Sequence, residues 1–119
     1  MPTPSLVILY VSDPTVSAAF YAGLLGQQPA EASPTFAMFA LPSGMSLGLW
    51  SRHTVAPAAT PAGGAEIAFT SAQVDAVHAD WLARGCVIAQ PPTDMEFGRT
   101  FVALDPDGHR LRVFAPAPA

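Results

Sequence analysis

Lysine is absent from this chain of 119 residues, and its five basic side chains, all arginine, are outnumbered by nine acidic ones for a formal charge of −4. Charged residues make up 12% of the sequence, against roughly 25% in an average soluble domain. The arginines form no run, so the chain carries no electrostatic footprint for a phosphate backbone or an anionic membrane surface, and nucleic acid is not an expected partner. Long apolar runs are missing as well. None is longer than Leu6 to Val11, far short of the ~20 residues that span a bilayer. Met-Pro-Thr-Pro at the start offers neither a charged nor an apolar leader segment, and the expected location is the cytoplasm. Cysteine is nearly absent: Cys86 alone cannot form an internal disulfide, and its place in Gly-Cys-Val-Ile predicts a small buried side chain.

Apolar residues and proline are plentiful, at 50% of the chain and 13 residues respectively. The length predicts one domain. A chain this small leaves much of its surface exposed, so half its residues being apolar calls for a subunit interface or an apolar ligand pocket.

Proline breaks helix interiors and cannot donate to a strand ladder, which makes the prolines punctuation. Leu6 to Val11 reads as a strand, and Ser12-Asp13-Pro14 as a helix cap with proline at the first helical position. The helix runs to about Leu25, with Val16, Ala19, Phe20, Gly23 and Leu24 as an apolar stripe and Gly26 as its stop. A short strand follows near Gln27 to Ala32, then strands Thr35 to Leu41 and Met45 to Ser51 around Pro42-Ser43-Gly44. Residues 52–64, rich in Ala, Pro and Gly, read as a linker. Beyond it come strand Ala65 to Thr70, a helix from about Ala72 to Arg84 with Val74, Val77 and Trp81 on one stripe, strand Cys86 to Gln90, and strands Thr100 to Leu104 and Arg110 to Ala115.

The second half repeats the first, and such self-similarity decides an architecture. Tyr10 and Gly26 have the same spacing as Phe69 and Gly85. Further on, Pro42 falls on Pro106, Gly44 on Gly108, Leu47 on Leu111, Leu49 on Val113 and Trp50 on Phe114. The expected fold is α+β: two βαβββ modules, about 5–51 and 65–115, in a single domain. Each helix covers one face of a four-stranded sheet and leaves the other face to close against a second sheet.

Tyr10-Val11-Ser12-Asp13, Phe20-Tyr21, Leu24-Leu25-Gly26 and the stretch Phe97 to His109, with its Phe-Gly-Arg-Thr-Phe and Asp-Pro-Asp-Gly-His, carry a resemblance. Over residues 5–115 the chain resembles the vicinal oxygen chelate superfamily of glyoxalases, bleomycin-resistance proteins and extradiol dioxygenases. In Ser46 to Ser51 and Thr93 to His109 it is similar to the phenazine-antibiotic-resistance branch. The resemblance implies a homodimer whose paired sheets form a ligand-binding cup. In the metal enzymes of the superfamily four strands each supply one ligand, and those positions here hold Leu6, Gly48, Glu66 and Arg112. Leucine and glycine offer no donor and arginine is a permanent cation, so no metal and no other cofactor is expected. Nor do His53, His78 and His109 have metal-ligand spacing; they read as solvated or capping groups.

Side chains alternate across a strand, so Ile8 and Tyr10 share a face with Leu6, Ser46 and Trp50 with Gly48, Ala68 and Thr70 with Glu66, and Arg110 and Phe114 with Arg112. This composes an aromatic cup, with Trp50 and Phe114 as equivalent walls and open volume above Gly48. The alternative is that the two rings plug the cup as core. Glu66 and Arg112 are expected to form a salt bridge; alternatively Arg112 or Arg99, near Phe97, meets a ligand carboxylate. Met38 and Met45 are alternatively pocket lining or core. No Gly-x-Ser-x-Gly elbow or working carboxylate pair occurs. The function expected is metal-independent binding and sequestration of a small planar aromatic compound, with ligand contacts from Trp50, Tyr10, Gly48, Glu66, Phe97, Arg99, Arg112 and Phe114. The alternatives are an enzyme of the same superfamily with Glu66 as its acid or base, and a structural homologue that binds nothing.

Overall fold

The computed structural model describes residues 3–118, and the chain divides after Pro61 into two compact units. The first contains β1 (Leu6–Val11), α1 (Pro14–Leu25), β2 (Glu31–Ala32), β3 (Phe36–Ala40) and β4 (Ser46–Ser51), in the sheet order β1-β4-β3-β2. The second contains β5 (Glu66–Thr70), α2 (Val74–Ala83), β6 (Val87–Met95), β7 (Gly98–Leu104) and β8 (Arg110–Pro116), in the order β5-β8-β7-β6. In each unit the first and last strands pair in parallel and the remaining ladders are antiparallel. The two topologies are identical. The fold is therefore α+β with a βαβββ repeat, as the spacing of the sequence predicts.

Asp13 starts α1 by accepting the Thr15 amide at 3.0 Å, and Gly26, at φ 65°, ends it in the left-handed region that glycine adopts without steric penalty. The buried stripe of α1 differs from the expected one. Pro14, Ser17, Ala18 and Tyr21 face the sheet, whereas Val16 is 53% exposed and Ala19 and Gly23 are exposed. The helix is apolar almost all round, so periodicity alone does not fix its phase. The buried Pro14 at the first helical position does. In α2 the expected stripe holds: Val74 and Trp81 are buried, and Val77 is half-buried.

The other differences lie at strand ends. The first short strand shrinks to Glu31–Ala32. β6, expected to stop at Gln90, continues to Met95 through Pro91 and Pro92. It is the edge strand of its sheet and its register shifts on either side of Gln90, so prolines without an N–H are accommodated there. Helix-facing side chains build each unit's core: Val11, Tyr21, Ala37, Phe39, Leu47 and Leu49 in the first, Trp81, Phe101, Ala103, Leu111 and Val113 in the second. Cys86 is buried and free, and burial raises its thiol pKa.

Candidate functional site

On the first unit's helix-free face the ladder aligns Tyr10 with Trp50 and Ile8 with Gly48, and β3 adds Phe36 opposite Trp50 and Met38 opposite Gly48. Phe36 and Trp50 meet edge to face, with ring centroids 6.3 Å apart and planes at 88°. Both rings are half-buried, as are Tyr10 and Met38. The volume expected above Gly48 is occupied: a Cβ built there would lie 3.1 Å from Phe36 Cζ and 3.4 Å from Ile8 Cγ1. A side chain at this position would press on the Phe36 ring, which lies against the strand at the glycine. Phe36 is the site residue that sequence reasoning missed. Its signal was available, since Phe36 and Trp50 are equally spaced from the Pro42-Ser43-Gly44 turn in a hairpin.

On the second unit's helix-free face Arg112 organises a cluster. Its Nε and Nη2 donate to Glu66 Oε1 and Oε2 at 2.8 and 3.0 Å, and its Nη1 donates to Thr100 Oγ1 at 3.2 Å. Thr100 is fully buried and donates in turn to the Val113 carbonyl at 2.9 Å. The guanidinium carbon lies 5.8 Å from the centroid of the Phe97 ring, which packs edge to face on Phe114 at 6.0 Å. Four predicted site residues, Glu66, Phe97, Arg112 and Phe114, thus come together, and the expected salt bridge is present. The Arg112 hydrogen bonds hold the Glu66 carboxyl below its ordinary pKa, outweighing desolvation, and the same pairing raises that of Arg112. Phe97 is 44% exposed. It sits at the β6–β7 tip, which turns through Gly98 at φ 138°.

Arg99 is not part of this cluster. Its Nε and Nη2 donate to Asp75 of α2 at 2.8 and 2.9 Å, and its Nη1 to Asp94 of β6 at 3.0 Å. One residue's difference from Thr100 puts it on the helix side of β7. His78 also departs from its expected solvated or capping role, because its ring packs against Phe101 at 5.2 Å. The turn carboxylate Asp105 accepts the amides of Asp107 and His109, both at 2.9 Å.

The donor set does not fit the metal that the resemblance implies. Leu6 and Gly48 have no donor atom, the Arg112 cation would repel a divalent ion, and both oxygens of Glu66 are engaged by that cation. Among the described residues no group of three or more His, Cys, Asp or Glu side chains is placed to hold an ion. No helix there is long and apolar enough to cross a membrane.

Residues 4–113 match the family model of the Glyoxalase/Bleomycin resistance protein/Dioxygenase superfamily. The chain is 33% identical over 118 residues to the phenazine antibiotic resistance protein EhpR of Enterobacter agglomerans, covering 93% of this chain and 90% of that protein. Among solved structures, protein ATC0852 from Agrobacterium tumefaciens is 54% identical with a TM-score of 0.90, the match covering 99% of this chain and 100% of that one. A glyoxalase/bleomycin resistance protein/dioxygenase from Nocardioides is 26% identical with a TM-score of 0.83, covering 100% and 86%.

Proposed function

The chain belongs to the glyoxalase/bleomycin resistance protein/dioxygenase superfamily, and from that premise we propose that it binds and sequesters a small planar aromatic compound without a metal ion. The observation that carries this reading is the replacement of superfamily ligand positions by the Glu66–Arg112 pair, on a sheet face that also presents Phe97 and Phe114. Trp50, flanked by Tyr10 and Phe36 on the other unit's open face, is the stacking platform. An aromatic pair contributes roughly 0.5–1.5 kcal/mol beyond the area it buries. The phenazine resistance protein at 33% identity supports phenazines as the ligand class. The protein acts as a homodimer in the cytoplasm.

Catalysis by Glu66 fits less well. A general base works best with a pKa near the operating pH, and Arg112 moves this carboxyl the other way.

Titration with phenazine, followed by tryptophan fluorescence, tests the reading. Trp81 lies in the core between Phe69 and Phe101, so Trp81→Phe isolates the Trp50 signal and leaves a smaller cavity than truncation to alanine would. Saturable quenching in Trp81→Phe, lost in Trp50→Phe, is the expected result. Failure of phenazines and other planar aromatics to quench or to raise the melting temperature would overturn it.

A further inference from the structure

The five arginines are not equivalent as anion receptors. Arg84 is paired with Asp80, Arg99 with Asp75 and Asp94, and Arg112 with Glu66. Arg112 is largely engaged: three of its five N–H donors go to Glu66 and Thr100, and its face lies against Phe97. Arg52 follows β4 on an exposed turn. Arg110 is exposed, opposite Glu66 in the β5–β8 ladder and opposite Leu104 in the β7–β8 ladder, with no ion pair or side-chain hydrogen bond among the described residues. The Glu66 oxygens hydrogen-bond to Arg112 and not to Arg110, which acts on that carboxylate only through space.

Arg110 also borders a groove. About 610 Å3 of space is lined by Gly63, Gly64, Ala65, Glu66, Ala68 and Gly108 together with Arg110. Three of these residues are glycines with nothing within 4 Å of where a Cβ would stand, and two more are alanines, so the groove has low walls and two charged side chains, Arg110 and the Arg112-bound Glu66. Its volume falls in the range that holds small ligands, roughly 300–1,000 Å3. In a chain of formal charge −4 an anion is repelled at long range, so an acidic ligand needs a local cation that no carboxylate already holds.

We propose that Arg110 receives a carboxylate substituent of the bound aromatic compound, with the body of the ligand extending along β8 toward Phe114 on the same sheet face. This deepens the aromatic-binding reading and rests on it. The Glu66–Arg112 pair acts as a positioning element: by holding both Glu66 oxygens it leaves the Arg110 guanidinium without a hydrogen-bonded carboxylate, and its own charges offset each other.

The test compares dissociation constants for phenazine and phenazine-1-carboxylate in the native protein, Arg110→Gln and, as a control, Arg52→Gln. Arg110 is exposed, so its replacement leaves the fold intact, which circular dichroism verifies. The native protein should prefer the carboxylate by about tenfold, with the preference shrinking as salt rises. Arg110→Gln should bring the ratio to about one without changing phenazine affinity, and Arg52→Gln should leave the preference in place. A preference that survives Arg110→Gln, or none in the native protein while phenazine still binds, overturns the role of Arg110 and leaves aromatic binding standing. If neither compound binds any of the proteins, both readings fall together.

Discussion

Glu66 and Arg112 are 30% and 20% exposed at their side chains, so their pairing is screened less than a surface bridge and costs less desolvation than a fully buried one. Its effect on stability has a definite sign. The fold lowers the Glu66 pKa from its ordinary 4.5, so the pair's contribution is complete above that value and is lost as pH falls through the lower folded pKa. Glu66→Gln should therefore destabilise the protein by about 1 kcal/mol at neutral pH and flatten the acid limb of a plot of urea midpoint against pH. A limb as steep as the native one would place the acid sensitivity elsewhere. The pair was legible in the sequence because the family resemblance, read through the repeat register, put both residues at ligand positions that face one another. Phe36 over Gly48 was not, since a glycine in a strand reads equally as empty space or as room for a neighbouring ring. Nor was the orientation of Arg99: its partner Asp75 lies 24 residues away on α2, a distance no local pattern reports.

Strand and helix boundaries show the same division between local and tertiary information. Caps and turns were readable because their chemistry is contained in a few residues: Asp13 with Pro14, Gly26 at φ 65°, and Gly44 and Gly108 at φ 95° and 86° in equivalent turns. The phase of α1 and the run of β6 through two prolines were not, because each depends on what lies across the sheet or beyond its edge. The β6–β7 tip carries a sharper requirement. A Cβ on Gly98, at φ 138°, would overlap the Ala115 carbonyl oxygen, so Gly98→Ala must distort the β7–β8 ladder. A loss of at least about 2 kcal/mol is expected in denaturant unfolding. Phe97, next in the chain, should shift with it, weakening ligand binding beyond what the lost stability explains. Gly44→Ala, which meets nothing within 4 Å, should cost about 1 kcal/mol from backbone strain alone and leave binding unchanged.

At the scale of the whole chain the apolar surplus has visible outlets. Leu6 and Ile8 of β1 are 39% and 38% exposed and Phe97 is 44% exposed, all on or beside the helix-free sheet faces. Covering them accounts for the proposed homodimer, whose mass by light scattering should be twice the chain's 12.4 kDa; a monomer at micromolar concentration would leave those faces to the ligand alone. The scarcity of charge works in the same direction. With nine acidic residues in all, and Glu66, Asp75, Asp80 and Asp94 engaged by arginine, few carboxylates are left from which to assemble a metal centre. Binding without a metal is the central claim, and calorimetric titration with phenazine of protein stripped by chelator, repeated after adding back zinc, nickel or iron, tests it most directly. Saturable binding of equal affinity before and after metal is the predicted result; binding that appears only with a stoichiometric divalent ion would contradict it.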